Sequence, residues 1–260
     1  QLKERIELEA RYLEEYAPAA PFDFVFCEGL LTAAEDPCSA LRRVAEYVAP
    51  GGVLVVTTID SISHFPEMLR RLMAQRLIRP DDDLARKVEI LLPVFRPHLE
   101  TLRSMSRRYD DWIIDNMIIA TVLGTRMTIP VAIETLREGF DIYGASPQFL
   151  TDWRWYKSMV GEQRRMRDVG IEQYWRNAHN LLDYRQVRPP ADAGLNRALA
   201  ASCQAIIDLI GEFEERREAP LVADIRSKAG RLLEPIRTFS ERTAAALEEA
   251  LGLLTPAAAP

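Results

Sequence analysis

The sequence predicts an α/β protein in which one parallel strand–helix–strand unit is followed by a long helical remainder. Three observations lead there. Phe22–Cys27 (FDFVFC) and Val53–Thr58 (VLVVTT) are short aromatic and β-branched runs with little polar alternation, the pattern of strands buried on both faces of a parallel sheet. The stretch between them reads as a crossover helix with recognisable ends. From Gly161 onward, apolar residues recur at helical spacing and no strand-like run appears.

Taken in order, Gln1–Tyr16 is highly charged and helix-favouring, with Leu2, Ile6, Leu8 and Leu13 available for one face, and residues 17–21 break it. After the first strand, Asp36 can cap the crossover helix and Pro37 sits where a first-turn proline costs no hydrogen bond. Leu41, Val44, Ala45 and Val48 fall on one side of it. Pro50, Gly51 and Gly52 then stop the helix and turn the chain into the second strand.

This ordered set resembles the second half of the S-adenosylmethionine-dependent methyltransferase fold, of the Rossmann-like class. In that family the fourth strand reads as an FD-V run leading to a Leu-Leu or Leu-His pair and an acidic-Pro turn, matched here by Phe22, Asp23, Val25, Leu30, Leu31, Asp36 and Pro37. The next helix ends in L-PGG before the fifth strand, matched by Val48, Pro50, Gly51, Gly52 and residues 53–56, with Ala49 at the variable position. The resemblance implies a partial Rossmann-like sheet, S-adenosylmethionine as cofactor, and cofactor contacts from Cys27, Glu28 and Gly29 at the end of the first strand. One departure matters. A complete methyltransferase carries a Gly-rich loop and an acidic second-strand end before this point, and GxGxG occurs nowhere in the chain. The sequence is therefore expected to be the C-terminal portion of a longer enzyme, as its start at Gln1 favours, or else a degenerate relative; by itself it is not expected to turn over.

At 260 residues and 48% hydrophobic, the chain suffices for a core domain plus an appendage. A net charge of -6 and a pI near 5.3 argue against a nucleic-acid surface, where a basic footprint is expected. Only four of the 33 basic residues are lysines, at 3, 87, 157 and 228, and such arginine enrichment fits a GC-rich genome as well as anion binding. Cys27, Cys38 and Cys203 are odd in number and lack C-x-x-C spacing, so neither a disulfide framework nor a metal site is expected. No apolar run approaches the ~20 residues that span a bilayer and no signal peptide is visible. A cytoplasmic location without membrane partners is the expectation.

Beyond the second strand, Ile59–Phe65 reads as a loop at the carboxyl end of a parallel strand, where open sheets place ligands. Pro66 opens a helix to about Leu77, and after Asp81, Asp82 and Asp83 a second helix carries Leu84, Val88, Leu91 and Leu92 until Pro93 and Pro97 interrupt it. Residues from about 62 to 128 exceed the usual passage at this place and are expected to form an inserted helical lid over the active site. Pro130–Glu138 is a helix, and Phe140–Gly144 with Trp153–Met159 is expected as an antiparallel edge hairpin. Residues 1–160 thus form the methyltransferase portion, 161–254 a helical extension, and 255–260 a disordered tail. In the extension, Leu195, Leu199, Ile206, Leu209, Ile210 and Phe213 stripe one helix, and Leu221, Ile225, Leu232, Ile236, Phe239 and Leu247 a second. Joined near Pro220, they form an αα-hairpin that packs on the main domain, on a partner or on a second copy.

Methyl transfer from a sulfonium is an in-line displacement that needs alignment, shielding and sometimes a base. Glu28 is placed to bind the donor's amino group or act as that base; the plainer reading is a solvated carboxylate. Asp60 and Ser61 follow the second strand as substrate contacts. His64 is a candidate proton acceptor, against a helix-start histidine with a satisfied hydrogen bond; His98 and His179 are weaker candidates. Tyr109, Asp111, Asp115 and Asn116 lie in the densest polar-aromatic run. Asp111 (catalytic) and Asp115 fall on one helical face at i and i+4, suited to a hydroxylated or cationic acceptor, and Trp112 and Asn116 share the next. Two carboxylates without a third ligand make a metal the poorer reading. On the expected edge strand, Trp153, Trp155 and Lys157 alternate with Arg154 and Tyr156, and Trp153 and Tyr156 are candidate stacking surfaces for the acceptor. The activity that follows is transfer of a methyl group to oxygen, less readily nitrogen, of a small molecule. The competing reading is a non-catalytic interaction module on a degenerate half-sheet. A nicotinamide enzyme lacks its glycine fingerprint equally.

Overall fold

The computed structural model describes residues 5–102, 105–119, 126–183 and 185–254; the tail at 255–260 lies outside them. The chain divides into two compact units, one of residues 1–58 with 122–141 and the other of 59–121 with 142–260. The divisions therefore fall at 58, 121 and 141: residues 62–121 of the segment expected as a lid share a unit with the segment expected as an extension, while 122–128 belong to the first unit.

In the first unit, β1 (Phe22–Cys27) and β2 (Val48–Val56) pair in parallel across the crossover helix α2 (Pro37–Ala45), which follows the single-turn α1 (Leu30–Ala33). The expected βαβ unit is present. Phe24 faces Val53 and Cys27 faces Val56, while Phe22 pairs with Val48, so the ladder is irregular between Phe22 and Phe24. The Pro50-Gly51-Gly52 turn expected before the strand is thus a bulge within it. Gly51 sits at φ 81°, a conformation open to glycine. A Cβ on Gly52 would stand 2.9 Å from the carbonyls of both Asp23 and Ala49, so only a bare backbone fits between the strands.

Asp36 caps α2 by accepting from Ser39 N at 3.0 Å, and Leu41 and Val44 pack with Cys27, Leu31 and Met127 into this unit's core. α6 (Ile129–Thr135) covers the same core through Val131, Ala132 and Leu136. Contrary to expectation, the sheet is buried on one face only: Val25, Leu54 and Val56 turn to the core, while Phe22, Phe24, Phe26, Val53 and Val55 are exposed. The helix expected over 1–16 is absent from its described part, which is irregular with one turn at 13–15. Ile6 and Leu8 find no apolar surface there and are 59% and 90% exposed. The Tyr47 hydroxyl bonds the carbonyls of Leu13 and Tyr16 instead.

The second unit is helical among its described residues. α3 (Ser61–Leu77) begins five residues before Pro66, because Asp60 accepts from Ile62 N at 2.8 Å and Ser63 N at 2.9 Å and nucleates the first turn ahead of the proline. α4 (Leu84–Leu99) runs unbroken through Pro93 and Pro97, fixed by its buried Leu91, Phe95 and Leu99. These pack with Ala74, Ile78, Ile113 and Met117, contributing about 1.5–3 kcal/mol per large side chain, enough to offset a missing backbone donor. α5 (Tyr109–Ile113) continues as a π turn, Ile114–Ile118.

The expected hairpin strands at 140–144 and 153–159 do not form. In the second stretch, Arg154 forks onto Asp152 and bonds the Gln163 and Arg165 carbonyls, and Tyr156–Ser158 makes a 3₁₀ turn, so local side-chain bonds replace a ladder. α7 (Arg167–Asn177) and α8 (Ala193–Arg216) follow. The helix expected opposite α8 is three: α9 (Ala219–Gly230), α10 (Leu233–Arg237) and α11 (Glu241–Leu253). Gly230 and Pro235 disfavour continuation, and Ser240 starts α11 afresh by accepting from Thr243 N at 3.2 Å. The turn from α8 into α9 passes through Arg217 at φ 55°.

One side chain ties α3, α8 and the π turn together. Arg71, 7% exposed, donates from Nε to Glu214 Oε1 at 2.5 Å and from Nη2 to Oε2 at 3.0 Å, and caps the Ile118 and Ile119 carbonyls. Gln75, one turn on, donates to the Met117 carbonyl at 2.8 Å. These acceptors lie at the end of a helical segment, where carbonyls commonly need donors from elsewhere. Arg71→Met keeps the volume and removes every donor; it is expected to cost about 2–4 kcal/mol by leaving Glu214 and two carbonyls unmatched. All four tryptophans (112, 153, 155 and 175) lie in this unit, so tryptophan fluorescence during urea unfolding measures the loss directly.

Candidate functional site

At the end of β1 the Cys27 carbonyl accepts from Thr57 N at 3.1 Å, carrying the parallel pairing one residue past β2. The Cys27 thiol is buried and burial raises its pKa, so it is a neutral thiol. Glu28 is exposed. Gly29 follows at φ 75°, and nothing stands within 4 Å of where its Cβ would be. Its carbonyl accepts from the Thr32 hydroxyl at 2.9 Å, holding the turn. The carboxyl end of the parallel pair thus presents a free-standing carboxylate and a stretch of bare backbone, at the position where open α/β sheets bind ligands. Cys27, Glu28 and Gly29, the expected cofactor contacts, all lie at this strand end.

The remaining expected site residues belong to the second unit. Ile59–Phe65 is not the open loop expected, since α3 starts at Ser61. Asp60 is 9% exposed and its carboxylate also accepts from the Ser63 hydroxyl at 2.9 Å. Ser61 donates to the Ala200 carbonyl at 2.8 Å, fastening α3 to α8. His64 is buried on α3. Two residues that the sequence did not single out lie near Asp60. Tyr174 is pushed up by burial and then by the Asp60 charge, and Cys203 is pushed up to about 12 by the same two causes. The only advance sign of them was the apolar stripe of α8, which passes through Cys203.

Asp111 is exposed on α5. Asp115 pairs with Arg107. The expected shared face at i and i+4 is broken because the π turn begins between the two, with Ile119 N bonding the Ile114 carbonyl at 2.8 Å. Asn116 donates to the Trp112 carbonyl at 2.7 Å, and Trp112 and Tyr109 pack against the α4 core. Trp153 and Tyr156 are 90% and 66% exposed. The neighbouring Trp155 meets Tyr156 edge-on at 5.6 Å, and Lys157 Nζ stands 5.2 Å from the Trp155 ring. Arg154, forked on Asp152, holds that carboxylate at about 2.

Residues 3–106 match a family model described as a methyltransferase domain. That stretch of the chain is similar to a methyltransferase domain, and residues 107–260 lie outside the match. The match supports the resemblance read from FDFVF and PGG, on an α/β architecture with one pair of parallel strands among the described residues. No curated protein and no solved structure matches the chain. Among the described residues no helix is long and apolar enough to cross a membrane, and no three His, Cys, Asp or Glu side chains are placed to hold a metal ion.

The second unit also holds the half-buried imidazole of His98 and the buried one of His179. His98 is held below the ordinary 6.5, first by burial and then by the Arg70 charge, and Arg70 Nη1 lies 3.2 Å from its Nε2. His179 is likewise lowered by burial, against opposing hydrogen bonds with Asn196 and the Pro189 backbone. Both are neutral in the fold and take a proton more readily once unfolded, so the unfolded chain gains protons first as pH falls below about 6.5. This unit's stability is expected to be full well above that value and to be lost progressively as pH falls through about 6.5 toward 5. Tryptophan-monitored urea midpoints across that range test this; a flat profile refutes it, and His98→Asn with His179→Gln is expected to flatten it.

Proposed function

We propose that this protein transfers the methyl group of S-adenosylmethionine to an oxygen, and less readily a nitrogen, of a small molecule. The observation that carries the reading is the end of β1: an exposed carboxylate, Glu28, followed by the bare, left-handed Gly29, within a stretch that matches a methyltransferase domain. These residues fit the cofactor's chemistry. Glu28 complements an α-ammonium or a sulfonium charge, and Gly29 leaves room for a ligand to lie against main chain. When bound, S-adenosylmethionine supplies an electrophilic methyl on sulfur. Glu28 binds and orients the positive end of the donor, and the neutral Cys27 closes the apolar side of the strand end. On the acceptor side, exposed Asp111 is the better candidate to hold or remove a proton, because His64 is 8% exposed and lies within the packed part of α3.

One observation favours a second reading. The open sheet face of Phe22, Phe24, Phe26, Val53 and Val55 is the kind of apolar surface that a protein partner covers, as a non-catalytic module on a methyltransferase-like half-sheet would require.

Calorimetric titration of S-adenosylhomocysteine into the native polypeptide that carries these residues separates the two. Saturable binding weakened at least tenfold by Glu28→Ala, about 1.4 kcal/mol, is expected for the enzyme. No binding under any condition refutes it and leaves the module. Once an acceptor is found, Asp111→Ala is expected to cut turnover at least tenfold with S-adenosylhomocysteine affinity unchanged; undiminished turnover removes Asp111 from the mechanism.

A further inference from the structure

Where α9 gives way to α10, the second arm of the hairpin breaks and α8 loses its continuous cover. The break at Gly230 and Pro235 leaves a cavity of about 910 Å³ within the second unit, between α8, the loop at 188–191 and α10. Its size falls within the range of small-molecule sites, about 300–1,000 Å³.

The lining has two parts. Leu199 and Leu232, both buried, join Pro235 and Phe239 in an apolar wall. His179 and Asn196 add a polar floor, but a neutral and internally bonded one: Asn196 donates to the Trp175 carbonyl at 2.7 Å and lies 3.1 Å from His179 Nδ1. The charge comes from three cations, Arg188, Lys228 and Arg231, against the single carboxylate of Glu234. Glu234 is already bonded to Arg237 at 2.6 Å, a residue outside the lining. Arg188 donates from Nη2 to Gln186 Oε1, but its Nε is shielded from solvent with no acceptor among the described residues, a donor that costs free energy until it is matched. Lys228 and Arg231 are exposed at the same cavity. In a chain of net charge -6, a concave apolar surface with three cations and one committed carboxylate is selective rather than incidental.

We propose that this cavity is a binding site for an amphiphilic organic anion, a carboxylate on an apolar body. The body rests on Leu199, Leu232 and Phe239, and the carboxylate accepts from Arg188, Lys228 and Arg231. Neither wall suffices alone. A neutral amphiphile leaves the cations unmatched, and a bare anion leaves the apolar wall wet.

The test uses decanoate below its micellar concentration, with 1-decanol and inorganic phosphate as the other arms, titrated into the whole chain while the His179 ring proton resonances are followed. Decanoate is expected to shift them saturably and to bind at least tenfold more tightly than either decanol or phosphate. Lys228→Ala with Arg231→Ala changes two exposed side chains and is expected to weaken decanoate at least tenfold while leaving decanol unchanged. On the unmodified chain, raising salt from 50 to 500 mM is expected to weaken decanoate severalfold and decanol not at all, a readout that needs no variant. Decanol binding as tightly as decanoate overturns the proposal, as does phosphate binding equally well. Salt-insensitive decanoate binding, or binding that leaves His179 unmoved, overturns it too.

Discussion

The helical unit depends on one buried guanidinium. The π turn ends at Ile119 in extended backbone, and the end of a helical segment presents carbonyls that packing cannot satisfy. Arg71 and Gln75, one turn apart on α3, provide the missing N–H groups, and Glu214 on α8 balances the charge that Arg71 brings inside. Arg217, at the left-handed end of α8, then closes on the Gln75 carbonyl and side-chain oxygen. The position of α3 against both neighbours is therefore set by hydrogen-bond satisfaction as much as by burial of Ile62, Leu72, Ile206 and Ile210. A partly satisfied network of this kind would be worse than an apolar one, which explains why it is complete.

What was legible in the chain and what was not divides along a physical line. The βαβ unit could be read because each part carries its own local cause: β-branched runs, an Asp-Pro cap, a Pro-Gly-Gly break. The α8–α9 hairpin was legible for the same reason. The extent of α3 and α4 was not, because tertiary burial of Phe95 and Leu99 and a cap two turns upstream outweighed prolines that local propensity treats as stops. The edge hairpin failed the other way: FDIYG and WRWYK have strand composition but form no ladder, and in the second Arg154 commits nearby carbonyls to side-chain bonds. At the candidate site, the position of Cys27, Glu28 and Gly29 at the end of β1 followed directly from reading that strand. Asp60 near Tyr174 and Cys203 was not readable, since more than a hundred residues separate the partners in sequence.

Two surfaces of the protein share an origin. The open sheet face exists because two strands have a helix on one side only, and the cationic cavity exists because α9 and α10 part at Gly230 and Pro235. In each case a secondary-structure element stops short of covering its neighbour. At the sheet the uncovered surface is purely apolar, which suits a large flat contact; at the hairpin it is concave and charged, which suits a small guest.

The order in which the chain visits its two units has a consequence for biogenesis. The first unit takes residues 1–58 and 122–141, with Met127 and α6 filling its core, while 59–121 belong elsewhere. During synthesis β1, α2 and β2 leave the ribosome long before the segment that seals them. Leu31, Leu41 and Val44 must wait, half-covered, until more than eighty further residues have been added. A nascent chain stalled before residue 127 would carry that exposed apolar pocket, the natural target of a holdase chaperone.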